Sequence, residues 1–152
     1  MTITTGSIAP DFELRSHRGG TVRLSDFRGK RNVLLAFHPL AFTPVCAAQM
    51  SSYESNFDRF EAVSTHVVGI SPDASPSKAA WAQSLGGLSF DLLSDFYPHG
   101  EVAAKYGVLR PDGLAERAVF VIDRDGVVQY ARKYDIPEHP DVEEVFRAIE
   151  KL

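Results

Sequence analysis

Cys46 is the only cysteine in a chain of 152 residues, and it closes the stretch Phe37-His38-Pro39-Leu40-Ala41-Phe42-Thr43-Pro44-Val45-Cys46. Thr43 followed by Pro44 is a helix-start signal: the hydroxyl can cap free amides, and proline is preorganised for the first helical position. Cys46 then falls at the third helical position, among unpaired backbone N–H groups and at the positive end of the helix dipole. Both features favour thiolate over thiol, and the thiolate is the nucleophile. Thr43 lies three residues earlier, over the same turn. Pro39 ends the preceding apolar run, in position to wall off water. The chemistry open to this stretch is nucleophilic thiol chemistry. The competing reading is a small buried hydrophobe, which most lone cysteines are.

The elements that must position this sulfur read as follows. Phe12 to Leu14 and Thr21 to Leu24 alternate apolar and polar residues around His17-Arg18-Gly19-Gly20, a short hairpin. Ser25 to Gly29 reads as one helical turn ended by glycine. Asn32 to Phe37 is a continuous apolar run, the pattern of a strand covered on both faces. The helix from Thr43 continues through Met50, Tyr53 and Phe57, which share one face. Thr65 to Ser71 is a second apolar strand closed by Pro72. A helix beginning at Ser75 or Ser77 runs through Trp81 to Leu85 and stops at Gly86-Gly87. Phe90 to Leu93 reads as a short strand and His99 to Tyr106 as a short helix. Ala118 to Asp123 and Val127 to Ala131 flank Arg124-Asp125-Gly126, a strong hairpin signal. Asp141 to Leu152 is an amphipathic helix with Val142, Val145, Phe146 and Ile149 on one side. This order, without repeats or linkers, predicts one domain over residues 1–152, an α/β sandwich around one mixed sheet.

Composition narrows the partners. A chain of this length buries roughly 68–70 % of its unfolded surface, enough for a core without staples. No apolar run reaches the roughly 20 residues of a membrane span, and Met1 to Pro10 lacks the pattern of a secretory signal. The formal charge is −4 with no basic cluster, which argues against nucleic acid and anionic membranes. One cysteine excludes an intrachain disulfide, a Cys-X-X-Cys pair and a cysteine zinc cluster. A lone thiol fits a reducing compartment, so a cytoplasmic location is expected. His17, His66, His99 and His139 show no metal-ligand spacing, and no cofactor is expected.

Pro39, Thr43 and Cys46, spaced as proline, three residues, threonine, two residues, cysteine, resemble the signature of the peroxiredoxins. Pro39-Leu40-Ala41-Phe42-Thr43 strengthens the match, as does Arg117 ahead of Phe120-Val121-Ile122-Asp123, which resembles the family's active-site arginine. Ala9-Pro10-Asp11-Phe12, Trp81 and Leu93-Ser94-Asp95 resemble further shared positions, so the likeness runs along nearly the whole chain. Phe37 to Thr43, Leu92 to Gly100 and the short C-terminus most resemble the AhpE-type one-cysteine enzymes. The resemblance implies a thioredoxin-like three-layer fold with an added N-terminal β-hairpin. It implies a thiol peroxidase acting on hydrogen peroxide, organic hydroperoxides or peroxynitrite. Cys46 would attack the peroxide and become a sulfenic acid. Arg117 would steady the departing oxygen, Thr43 would hold the peroxide in line, and Pro39 would exclude water. Backbone N–H groups of Val45 and Cys46 would point into the same site. A homodimer through loops around Phe42, Pro72 and Tyr97 is implied as well.

Three positions depart from the pattern. Gln49 stands where many relatives carry glutamate; it has no charge to fix the arginine, but its amide can accept a hydrogen bond. Ser51 stands where one class carries a resolving cysteine, so recycling falls to an external thiol: thioredoxin, mycothiol with mycoredoxin, or another. His38 occupies an aromatic slot. It either fills that slot or titrates near neutrality and tunes the thiolate. Trp81 reads as core, and Asp73, Asp95 and Asp123 as turn or cap residues. Glu138, Glu143, Glu144 and Glu150 read as a solvated face. The alternative function is a non-enzymatic thioredoxin-fold sensor or interaction protein that uses Cys46 oxidation as a signal.

Overall fold

The apolar run at Asn32–Phe37 becomes the centre of the molecule. In the computed structural model, which describes residues 2–152, this segment is strand β3, and each of its residues is buried. Burying Val33, Leu34, Leu35 and Phe37 stabilises the fold by about 1.5–3 kcal/mol each. The other strands are β1 (Glu13–Ser16), β2 (Thr21–Arg23), β4 (Thr65–Ser71), β5 (Asp91–Ser94), β6 (Arg117–Ile122) and β7 (Val128–Tyr134). They form one seven-stranded sheet in the order β2-β1-β5-β4-β3-β6-β7. Strands β3, β4 and β5 run parallel; β1, β6 and β7 join antiparallel to their neighbours. The sheet is therefore mixed, with the N-terminal hairpin on one edge, as the sequence predicts.

Side-chain alternation divides the sheet into two faces. Val33, Leu35, Phe37, Val68, Ile70, Ala118, Phe120 and Ile122 enter one core with Phe12, Val102 and Tyr106. Leu34, Ala36, Val67, Leu92, Val119 and Val121 enter the other. That second core takes Cys46, Met50 and Tyr53 from α1 (Pro44–Ser55), Phe60 from α2 (Phe57–Ala62), Trp81 from α3 (Ser75–Ser84) and Phe146 from α5 (Val142–Glu150). Helix α4 (Glu101–Lys105) lies on the first face. The result is three layers.

Several boundaries differ from the sequence reading. The helix after Cys46 breaks at Asn56, short of Phe57. Asn56 Nδ2 donates to the Ser52 carbonyl at 2.8 Å, a side-chain competitor to the helical ladder. The first hairpin is shifted to 13–16 and 21–23, and the turn after it is a 3-10 helix at Leu24–Phe27. The last helix starts at Val142 because the Asp141 side chain caps it, accepting from the Glu143 amide at 3.0 Å. Its acidic face is not simply solvated: Glu143 pairs with Arg59 at 2.7 Å, and Glu144 accepts from Tyr130 at 2.7 Å and pairs with Arg132. No described helix is long and apolar enough to cross a membrane.

Candidate active site

Alternation and register explain which side chains meet at the ends of the parallel strands. Leu34 and Ala36 face the α1 side, so His38, next in that parity, faces it too. Strand β6 pairs Ala118 with Phe37, which places Arg117 beside His38, with the parity of Val119 and Val121. On the other flank Phe37 pairs with Ile70, which places Ser71 beside His38, and Ser71 pairs with Ser94. Arg117, His38, Ser71 and Ser94 thus form a polar row across four strands, on the helix-covered face. All four are buried.

Helix α1 lies over the Arg117 end of this row. Gly69 allows the approach: a Cβ there would lie 2.8 Å from Leu92 Cδ2, 3.1 Å from Met50 Sδ and 3.4 Å from His38 Cε1. Met50 is one turn beyond Cys46, so this contact seats the sulfur near the strand ends. Cys46 has no solvent exposure and is the third residue of α1. The first i→i−4 bond of the helix joins the Ala47 amide to the Thr43 carbonyl at 2.9 Å. The amides of Val45 and Cys46 lie ahead of it, where a helix has no partners of its own to offer.

Arg117 meets the sulfur directly. Its Nη2 donates to Cys46 Sγ at 3.4 Å, its Nη1 to Gln49 Oε1 at 2.8 Å and its Nε to the Ile136 carbonyl at 2.9 Å. Gln49 Nε2 donates in turn to the Tyr53 hydroxyl at 3.0 Å, which orients the amide with its oxygen toward the arginine. Gln49 therefore fixes the guanidinium without adding charge. Burial pushes Tyr53 up to about 12, so its hydroxyl stays protonated. Among the described residues, no carboxylate lies within ion-pair distance of Arg117. A buried cation without an anion is costly. The group in contact that can become an anion is the Cys46 thiol. The guanidinium has five N–H donors and three are committed, so two remain for an incoming oxygen.

Neither Thr43 nor Pro39 hydrogen-bonds to this pair through its side chain. Thr43 occupies the cap position of α1, but its hydroxyl makes no cap bond; it donates to the Leu40 carbonyl at 2.7 Å. The capping role expected from the sequence is thus not filled, and the hydroxyl keeps its lone pairs free to accept. Pro39 is buried at the end of β3. Phe42, immediately before Thr43, has φ of 64°. A left-handed phenylalanine is a strained residue of the kind that gathers at functional loops.

His38 does not titrate near neutrality. Burial, helped by the nearby Lys78 and Arg117 charges, holds its imidazole well below the usual range. The slot-filling reading stands: its ring lies 5.4 Å from the Trp81 ring, and Trp81 is buried core. Sequence reasoning missed what His38 touches. Lys78, fully buried, lies with Nζ 3.2 Å from His38 Nε2 and donates to Ser71 Oγ at 2.6 Å. Asp73, read as a turn residue, accepts from the Ala41 amide at 2.9 Å. Asp95 does cap, accepting from the Val102 and Ala103 amides at the start of α4. Asp123 does hold its turn, accepting from the Asp125 and Val127 amides.

Residues 5–131 match the model of the AhpC/TSA family. The chain is 40 % identical over 130 residues to alkyl hydroperoxide reductase E of Mycobacterium tuberculosis, covering 85 % of this chain and 84 % of that one. It is 37 % identical over 161 residues to a chloroplastic 2-cysteine peroxiredoxin of Chattonella marina var. antiqua, covering 100 % of this chain and 82 % of that one. The crystal structure of reduced Plasmodium vivax 2-Cys peroxiredoxin superposes with a TM-score of 0.89 at 31 % identity, over 96 % of this chain and 80 % of that one.

Proposed function

Because the chain belongs to the AhpC/TSA family of peroxiredoxins, thioredoxin-like oxidoreductases that reduce peroxides with thiols, we propose that Cys46 is its peroxidatic cysteine and Arg117 the cation that activates it. The observation that carries this reading is the 3.4 Å contact from Arg117 to Cys46, made by a buried guanidinium that no carboxylate among the described residues neutralises. A charge-assisted bond of this kind is strongest to an anionic acceptor.

In the proposed reaction the Cys46 thiolate attacks one oxygen of a peroxide. The sulfur–oxygen bond forms as the oxygen–oxygen bond breaks, and the departing oxygen leaves with the electron pair and takes up a proton. Cys46 is oxidised to the sulfenic acid and the peroxide is reduced to water, to an alcohol or, from peroxynitrite, to nitrite, which instead leaves as the anion. The two remaining Arg117 donors face the charge that develops. Thr43 accepts from the peroxide hydroxyl, while its own O–H keeps donating to the Leu40 carbonyl. Buried Pro39 helps exclude water.

With one cysteine in the chain, the sulfenic acid is resolved by an external thiol. That thiol attacks sulfur, releases water and leaves a mixed disulfide, which a second thiol reduces. Thioredoxin, or mycothiol with mycoredoxin, would serve as reductant in a cytoplasmic setting. Hydrogen peroxide, organic hydroperoxides and peroxynitrite are the proposed substrates. A second copy would dock at the exposed aromatics Phe42 and Tyr97. Pro72 drops out of that surface because it is buried, and Phe96, 54 % exposed, joins it.

The test is chemical trapping. After one equivalent of peroxide, a dimedone-type nucleophile should add to Cys46, and candidate thiols should restore the reduced mass. Peroxide-treated protein that gains no adduct and keeps its free thiol would refute the assignment.

A further inference from the structure

The second half of the polar row has no part in the chemistry just described, yet it holds a buried cation. Lys78 reaches the row from α3, and lysine is almost never fully buried without a partner. Its ammonium can only donate, so His38 Nε2 must accept and the imidazole proton sits on Nδ1, 3.4 Å from the Ala36 carbonyl. The other arm is better made. Lys78 Nζ donates to Ser71 Oγ at 2.6 Å, and Ser71 Oγ donates to Asp73 Oδ2 at 2.6 Å. The same carboxylate oxygen accepts from the Ala41 amide at 2.9 Å. Ala41 lies midway between Pro39 and Thr43, and the Thr43 hydroxyl is held on the adjacent Leu40 carbonyl. A hydrogen-bond chain therefore runs from the interior to the loop that carries the peroxidase motif.

We propose that Lys78 is a positioning residue of the peroxidase site: through Ser71 and Asp73 it fastens Ala41, and so fixes the loop that presents Pro39 and Thr43 to Cys46. The proposal rests on the peroxidase reading given above. A relay of one hydroxyl links the fully buried ammonium to a half-buried carboxylate, so the interior charge is compensated. A methionine of similar length would fill the space without desolvating a charge, but it would leave Ser71 without its donor and Asp73 without its counter-charge.

The groups facing Lys78 come from every element around it: His38 from the end of β3, Asp73 after β4, Asp95 after β5, Cys46 from α1 and, more remotely, His17 from the hairpin. Burial pushes the ammonium down to about 7, opposed by the negative charge of Asp73, Cys46 and Asp95. The relay thus holds its full charge below neutrality and loses it above.

The experiment compares the native chain with Lys78→Met, and with Ser71→Ala, which cuts the same relay but keeps the lysine. Two readouts are taken: hydrogen exchange of the Ala41 amide, and the rate of Cys46 oxidation by hydrogen peroxide across neutral pH. Both variants should lose Ala41 protection by at least about tenfold while the β3 amides keep theirs. Both should react roughly tenfold to hundredfold more slowly, as loosened positioning does. The native rate profile should carry a descending ionisation near neutrality that Lys78→Met lacks. Unchanged Ala41 exchange in both variants overturns the proposal, as does a native rate and profile in Lys78→Met. If the native chain reacts no faster than free cysteine, the peroxidase reading fails instead, and Ala41 exchange still decides whether Lys78 fastens the loop.

Discussion

The two ends of the polar row hold two buried cations in opposite electrostatic situations. Arg117 touches a sulfur, a neutral amide and the Ile136 carbonyl, and among the described residues no carboxylate lies in ion-pair reach. Lys78 touches a hydroxyl that relays it to the Asp73 carboxylate. Guanidinium keeps its charge at any working pH, so the arginine end offers a constant field to Cys46. The lysine end gives up its proton near neutrality, so its charge varies where the arginine's does not. His38 sits between the two and stays neutral under both. The lesson is that one row of side chains, built by strand register, separates a chemical role from a positional one.

The comparison predicts a large loss at one end. Arg117→Ala should slow Cys46 oxidation by about 10²–10³-fold, the usual cost of removing a donor at a developing charge, with the fold retained by circular dichroism. A normal rate in that variant would break the assignment of Arg117. Gln49→Leu should cost less. It strips an acceptor from Arg117 and a donor from Tyr53, so it should slow the reaction by roughly tenfold and destabilise the chain by about 1–3 kcal/mol in urea melts. If Gln49 fixes the guanidinium only by packing, the rate will not move.

The lysine end should show itself in stability against pH. Lys78 ionises at the ordinary 10.5 when unfolded and at about 7 when folded. Below about 7 both states hold the proton; between about 7 and 10.5 only the unfolded state does. Linkage then requires that native stability rise with pH across that window. Relative to Lys78→Met, the native chain should gain stability from pH 7 upward, and parallel stability curves would contradict the buried charge. The smallest effect is expected at His38. His38→Phe should keep every ionisation in the rate profile, because the imidazole is already neutral, and loss of one would return the tuning role to the histidine.

Much of the arginine end was legible in the sequence. The apolar run, Pro39 and Thr43-Pro44 announced a buried strand feeding a helix, and the lone cysteine fell on its third residue. The resemblance to the peroxiredoxins then pointed to Arg117, although only the pairing of β3 with β6 shows that it reaches Cys46. The lysine end was not legible, for a physical reason. A lysine in Ser75–Ser84 reads as a solvated helix residue until α3 is known to cover the ends of β3 and β4. Asp73 reads as a turn residue and Ser71 as the end of an apolar strand, because their partners are 32 and 7 positions away in sequence. Periodicity reports which face of a helix is apolar; it does not report which polar row lies beneath. The capping expectation at Thr43 failed for a related reason, since the hydroxyl found a carbonyl three residues back.

Trp81 provides the direct test of the central claim. It is buried in the core beside His38 and lies 6.4 Å from the Phe42 ring, on the loop before Cys46. Stopped-flow fluorescence on mixing with hydrogen peroxide should show a second-order change far faster than oxidation of free cysteine, abolished in Cys46→Ser. A rate no greater than that of free cysteine would contradict the account.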